Sequence, residues 1–224
     1  SDDCFLPGYL ERLRNIYAKN PGINYVFAKP KPFGEDAASV AATDENLKNM
    51  ALPPGPVGPT RWSTQLFAEY VGVPTSGNSL RVALAQDVLP ILYSLNQPLT
   101  LPLWLARLLG VSNTETSRPG QSADGALIRC CSLLGAQKYY DDSDGFMYRI
   151  HASNKYAGSS SSGRRYLRHL RKQQFLRVAH SQPALAKRAT VQDIVTEVLQ
   201  RSMAIRWQRK TLTKLRYCRC MLSS

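Results

Sequence analysis

The chain has 224 residues, is 43% hydrophobic and carries a formal net charge of +13. That is enough apolar material for one domain with a sizeable extension, or for two small domains. The longest apolar stretch, from Val88 to Leu109, contains Asn96, Gln97, Arg107 and the prolines Pro90, Pro98 and Pro102, which excludes an ordinary membrane span.

The charge is segregated. From Gly145 to Ser224 there are 17 Lys and Arg against two acids, Asp193 and Glu197, giving +15. The first 144 residues hold 12 bases and 14 acids, giving −2. A field this one-sided attracts polyanions, because each phosphate neutralised by Lys or Arg releases a counterion. No secretory signal is visible. The chain begins with Ser rather than Met, which removal of an organelle presequence would explain, as would trimming.

In chain order, residues 1–73 read as an extended N-terminal arm with little core of its own. Leu6 to Tyr17 places Leu10, Leu13 and Tyr17 at helical spacing, and Asn24 to Phe27 is strand-like. Pro30-Lys31-Pro32 and the Pro- and Gly-rich run from Ala51 to Pro59 give the arm the composition of a strap. Its aromatic residues, Phe27, Phe33, Trp62, Phe67 and Tyr70, suggest a strap laid over a partner rather than a solvated leader.

Residues 74–203 are expected to form a helical domain. Leu84, Val88, Ile91, Leu92 and Leu95 recur at helical spacing, with Pro90 placed to kink the run. Pro102 suits the first turn of a short helix to Leu109, in which Trp104 is expected to be buried. Asp124 is a candidate N-cap for a helix reaching Tyr139 or Tyr140, broken at Asp141 to Gly145. Gly163 to Gln174 is the most charged helix. Phe175 to His180 and Lys187 to Ala189 then read as two short strands. Thr190 is a candidate N-cap for a last helix, with Asp193 at the capping-box position and an inward stripe of Val191, Ile194, Val195, Val198 and Leu199. Helix, two-stranded wing, helix is the winged-helix arrangement. The expected fold is therefore mainly α, a winged-helix-like domain with a small wing, plus the N-terminal arm. Residues 204–224 form a basic tail with Trp207 and Tyr217 interleaved.

No catalytic constellation is evident: there is no P-loop, GxGxxG or nucleophile elbow. The five cysteines, Cys4, Cys130, Cys131, Cys218 and Cys220, match no disulfide framework and fit reduced thiols in a cytosolic or matrix compartment. Cys218-x-Cys220 lacks a second cysteine pair, and only His151, His169 and His180 could help it, so no metal or other cofactor is expected. What remains are phosphate-binding groups. Arg offers a planar fork to phosphate oxygens and a face that stacks on bases. The basic half interleaves it with Tyr148, Tyr156, Tyr166, Trp207 and Tyr217, which suits structured RNA recognised by shape and phosphates.

Residues 75–203 also carry a set of motifs in a familiar order. Leu99-Thr100-Leu101-Pro102-Leu103-Trp104 stands where one family has Lys/Leu-x-Val-Pro-x-Trp, and Arg129-Cys130-Cys131-Ser132 stands for its Arg-Ala-Ala-Ser. Gly163-Arg164-Arg165-Tyr166-Leu167-Arg168-His169-Leu170 matches Ala-Arg-Arg-x-Leu-x-x-Leu, and Arg188-Ala189-Thr190 matches the lead into the last helix. In these the chain resembles the e-type (archaeal and eukaryotic) small-subunit ribosomal protein S-nineteen family. Gly135 departs from that pattern, replacing a basic residue, and Pro90 interrupts the first helix. The resemblance implies a winged-helix-like fold in the head of a small ribosomal subunit, contacting ribosomal RNA and neighbouring small-subunit proteins. Arg129, Arg164 and Arg165 are the contact residues it carries over. Helix geometry adds Arg168, Arg171 and Lys172, and Lys138, Arg149, Lys155, Arg206, Arg209 and Lys210 complete the expected RNA-binding set. No membrane and no small-molecule substrate are expected. The arm, the tail and the first residue favour a mitochondrial ribosome over a cytosolic one. A winged-helix DNA-binding or scaffold subunit of a nuclear or organellar complex is the alternative, and for DNA the third helix would have to read base edges in the major groove.

Overall fold

Two short aromatic and apolar runs far apart in the chain, Tyr25-Val26-Phe27-Ala28 and the stretch from Lys138 to Ile150, lie side by side in the computed structural model. The structure describes residues 3–48, 52–73, 75–95, 123–150 and 162–202. Five strands are β1 (Cys4–Phe5), β2 (Tyr25–Gly34), β3 (Gly55–Gly58), β4 (Asn78–Leu80) and β5 (Lys138–Ile150). The described α-helices are α1 (Tyr9–Lys19), α2 (Ala37–Lys48), α3 (Arg61–Phe67), α4 (Val82–Leu95), α5 (Ala123–Leu133), α6 (Ser162–Ser181) and α7 (Val191–Ser202).

β5 is the axis of a curled, mixed sheet. It pairs in parallel with β2 along both halves of its length. Its first residues also receive β3, and Phe146 and Met147 receive β1, both antiparallel. β4 closes the far side on Tyr25, Val26 and Phe27. Tyr25 through Ala28 are all buried, as expected of a parallel strand covered on both faces. Farther along, Pro30 and Pro32 alternate with Lys29 and Lys31. Proline cannot donate to a ladder, so this spacing is tolerable where both nitrogens face away from the partner strand.

The ladder slips between Ala28 and Pro30, where β5 bulges from Asp141 to Phe146. α1 fastens that bulge. Arg12 Nε donates to Asp141 Oδ2 at 2.9 Å, its Nη2 donates to the Asp144 carbonyl at 3.0 Å, and Leu6 N–H donates to the Gly145 carbonyl at 3.2 Å.

This architecture is α/β, not the mainly α winged-helix fold with an extended arm expected from the sequence. Three local causes account for the difference. First, the strap residues supply β2, β3 and α3 to the same sheet and core as β5. Second, the helix expected to reach Tyr139 or Tyr140 stops at Leu133. Gly135 has φ +81°, Ala136 N–H donates to the Cys131 carbonyl and Gly135 N–H to that of Ser132, which together make a Schellman cap. The glycine that departs from the family pattern is thus the helix stop. Third, the wing is absent among the described residues. Phe175, Leu176 and Ala179 are buried at helical spacing, α6 continues to Ser181, and Pro183 prevents its extension. Lys187 to Ala189 is not a strand either. α4 runs through Pro90. The expected Pro102 helix and Trp104 lie outside the described residues.

The last capping expectation is realised. Thr190 N–H donates to Asp193 Oδ2 at 2.8 Å, and Asp193 N–H donates back to Thr190 Oγ1 at 3.1 Å.

Phe27 is fully buried, with its ring 5.2 Å from that of Tyr140 across the parallel ladder. Phe27→Ala is expected to cost about 3–5 kcal/mol in urea denaturation. A loss below about 1 kcal/mol would place Phe27 outside the core.

Candidate nucleic-acid interface

α6 carries Arg164, Arg165, Arg168, Arg171, Lys172 and Arg177 and no acid. The first five recur at i, i+1, i+4, i+7 and i+8, so their positions fall within one arc of about 120°. The same arc continues into Phe175, Leu176 and Ala179, so along one face α6 passes from cationic to packed. Arg177 is exposed and Lys172 half-buried. Beyond the helix, Lys187 and Arg188 are exposed. Their backbone is held to α3: Gln65 Nε2 donates to the Lys187 carbonyl, and Ala189 N–H donates to Gln65 Oε1, each at 2.8 Å.

Arg149, near the end of β5, is exposed. Its guanidinium lies 5.2 Å from the Phe33 ring centroid, and the Arg149 backbone N–H donates to Asp3 Oδ1 at 3.0 Å. An arginine on an aromatic ring at a surface presents a flat cationic face of the kind on which a nucleobase stacks. Lys155, Arg206, Arg209 and Lys210 lie outside the described residues.

Two expected contact residues are inside the protein. Arg129, on α5, is buried. Its Nε donates to the Ala68 carbonyl at 2.9 Å and its Nη1 to that of Gly125 at 3.0 Å. Ala68 has φ +48°, a left-handed conformation that is unfavourable for a residue with a side chain, and Arg129 grips that corner. Lys138 is 0% exposed. Its amine donates to the Val71 carbonyl at 2.7 Å and to Ser132 Oγ at 2.8 Å, and it sits 4.9 Å from the Tyr25 ring centroid. Both side chains are therefore absent from any exposed phosphate-binding surface. Arg61 and Arg81 are used in the same way. Arg61 Nε donates to the Leu133 carbonyl, and Arg81 binds the carbonyls of Ile23 and Tyr17. Sequence reasoning missed this inward use because a Lys or Arg between apolar residues looks the same whether its target is a carbonyl or a phosphate.

Ser132 and Lys138 have the atoms of a serine–lysine nucleophile pair. The Ser132 hydroxyl, however, donates to the Ile128 carbonyl at 2.9 Å and accepts from Thr60 Oγ1 at 2.9 Å. Ser132 and Lys138 are both fully buried. The pair is a closed hydrogen-bond network joining α5, β5 and the approach to α3.

The two acids of the basic half both make hydrogen bonds within the protein, Asp193 at the surface and Glu197 in the interior. Asp193 serves its own helix cap. Glu197 is 1% exposed, and its carboxylate accepts from Trp62 N–H at 2.8 Å, from Ser63 N–H at 3.0 Å and from the Ser63 hydroxyl. A carboxylate on the first N–H groups of α3 suits the positive end of that helix. It docks α7 against α3. Nothing in the sequence marked Glu197, which read as part of the solvated side of its helix.

Among the described residues no group of three or more His, Cys, Asp or Glu could hold a metal ion, and no helix is long and apolar enough to cross a membrane. Cys4 is exposed, Cys130 and Cys131 are buried, and all three are free thiols. Burial pushes the Cys130 and Cys131 thiols up to about 12; the neighbouring Cys131 adds to the rise at Cys130, and Lys138 opposes it at Cys131. Burial likewise raises Tyr9 and Tyr140 to about 12, and raises Tyr25 well above its ordinary value.

Glu197→Ala strands two backbone N–H groups at the start of α3 and is expected to cost about 2–4 kcal/mol in urea denaturation, with Glu197→Gln recovering part of it. A loss under about 0.5 kcal/mol would show that α7 is not docked through this carboxylate. Alkali provides a second check. The ordinary cysteine value is 9.0, so the stabilising contribution of the buried thiols is complete below that pH and is lost as pH rises toward about 12. Stability should fall by up to about 1.4 kcal/mol per pH unit for each cysteine in that window. Urea midpoints at pH 8 and pH 10.5 measure the fall. Alkylation mapped by mass spectrometry should label Cys4 in the native protein, and Cys130 and Cys131 only on unfolding. Rapid native labelling of Cys131 would refute the packing of α5.

Compared with protein-family models, curated proteins and solved structures, the chain matches none.

Proposed function

We propose that the protein is a structural RNA-binding component of a ribonucleoprotein particle, with ribosomal RNA of the small subunit as its ligand. The observation that carries the reading is the +15 of the last 80 residues, in which their only two acids are already counted. Glu197 is withdrawn into the interior against α3, and Asp193 caps its own helix. The acid-free α6, the exposed Arg177, Lys187 and Arg188, and the Arg149–Phe33 pair supply the phosphate-binding and stacking groups. The small subunit rests on the sequence resemblance alone. Neighbouring small-subunit proteins rest on it too. The winged-helix fold which that family would bring is not the fold of this chain. The same finding removes the winged-helix geometry from the DNA-binding alternative.

The test is binding of the full chain to a structured ribosomal RNA fragment across a salt series, with B-form DNA as competitor. Replacing Arg164, Arg165 and Arg168 with Ala is expected to lower the slope of log K against log salt by about three. An unchanged slope would remove α6 from the contact, and displacement of the RNA by an equal concentration of duplex DNA would sink the RNA reading. Sedimentation of the tagged protein from lysate, with sequencing of the accompanying RNA, tests the ribosomal part. Migration free of ribosomal RNA overturns it.

A further inference from the structure

α7 is docked with its polar side inward. Glu197 is buried, and Asp193, Thr196 and Gln200 are half-buried. On the opposite arc, Val191 is 78% exposed, Val195 43%, Val198 38% and Leu199 61%. These positions recur at i, i+4, i+7 and i+8, so they form one aliphatic stripe about 100° wide. Single exposed apolar side chains are ordinary on a protein surface, but four on one helical stripe mark a contact surface. The stripe holds four of the five positions the sequence assigned to the core; the fifth, Ile194, is half-buried, and the Glu197 clasp on α3 turned the other four outward.

Size and charge together select the occupant. A 12-residue helix is about 18 Å long. One face of such a helix is well short of the roughly 800 Å² per partner that a stable interface uses. The remaining attraction must come from around the stripe, and those surroundings are cationic. Lys187 and Arg188 are exposed on the segment leading into α7, with their backbone pinned to Gln65. Of the two carboxylates of this half, Glu197 is buried against α3, and the half-buried Asp193 caps its own helix on the side away from the stripe. A second copy of the chain would bring the same cations against themselves. The residues after Ser202 contain no Asp or Glu, so they carry no complementary charge.

We infer that the outward face of α7 docks an amphipathic helix of another protein, with an aliphatic stripe bordered by Asp or Glu. The inference does not rest on the RNA reading. It gives the protein two separable contacts, a protein helix on α7 and a polyanion on the basic surface.

The test uses the full chain and two fluorescein-labelled synthetic helical peptides. Both carry a leucine stripe at i, i+3 and i+7; one is flanked by Glu and the other by Lys. Anisotropy titration should show the Glu peptide binding about tenfold or more tightly than its Lys twin. The double variant Val195→Ser/Val198→Ser should weaken the Glu peptide by about tenfold, while keeping the wild-type melting temperature to within a few degrees and the same salt slope for RNA. Equal binding of the two peptides, or unchanged binding by the variant, overturns the proposal. So does unfolding of the variant, which would put the valines in the core. Two further results overturn it in favour of another occupant. They are wild-type self-association in sedimentation equilibrium that the variant abolishes, and variant-sensitive binding to phosphatidylserine vesicles that exceeds binding to the Glu peptide. Loss of RNA binding with peptide binding intact would count against the proposed function alone.

Discussion

The parallel pairing of β2 with β5 is the constraint on which the fold depends. Parallel strands cannot be joined by a tight turn, and here roughly a hundred residues of chain lie between them. Once the two strands are in register, the other strands have places to add. β1 and β3 attach to successive stretches of β5, and β4 attaches to the buried start of β2. The bulge at Asp141 to Phe146 follows from the same pairing, because it lets β5 resume its register with β2 beyond Ala28. A structure built on so non-local a contact is expected to fold slowly for its size.

Closing helices around that sheet leaves carbonyls that no helix or strand satisfies, and basic side chains fill the gap. Lys138 takes the Val71 carbonyl, Arg129 that of Ala68, Arg61 that of Leu133 and Arg81 those of Ile23 and Tyr17. The long apolar stems of Lys and Arg pack in the interior while the polar head is bonded, which makes burial of such groups tolerable. Glu197 does the converse, supplying an acceptor to the first N–H groups of α3. The basic half therefore keeps one of its two carboxylates, Glu197, off the surface. The clasp that removes Glu197 from the surface also turns the valines of α7 outward.

Much of the secondary structure was legible. The helical spacings near Leu13, Val88 and Val195, the strand-like Asn24 to Phe27 and the Thr190–Asp193 cap all have counterparts, because each is set by residues within a turn or two of one another. The stop at Gly135 is equally present in the sequence, but a glycine there signals a helix end only once its positive φ is known. Of the candidate contact residues, Arg177 was not singled out although it is exposed on α6, while Arg129 and Lys138 were chosen although they are buried. A cation's sequence neighbours do not reveal whether a carbonyl from another segment is within reach.

The sequence by itself determined the segregation of charge, the amphipathic character of α7 and the places where most helices begin, since these depend on composition and on contacts a few residues apart. Only the tertiary structure decided that the supposed strap is a central strand, that Phe175 to His180 continues a helix, and which side of α7 meets the core. Hydrophobic burial fixes an apolar face only when a partner surface is available, and on α7 the pairing of Glu197 with two backbone N–H groups 135 and 134 positions away outweighed it. No local pattern encodes a bond of that reach.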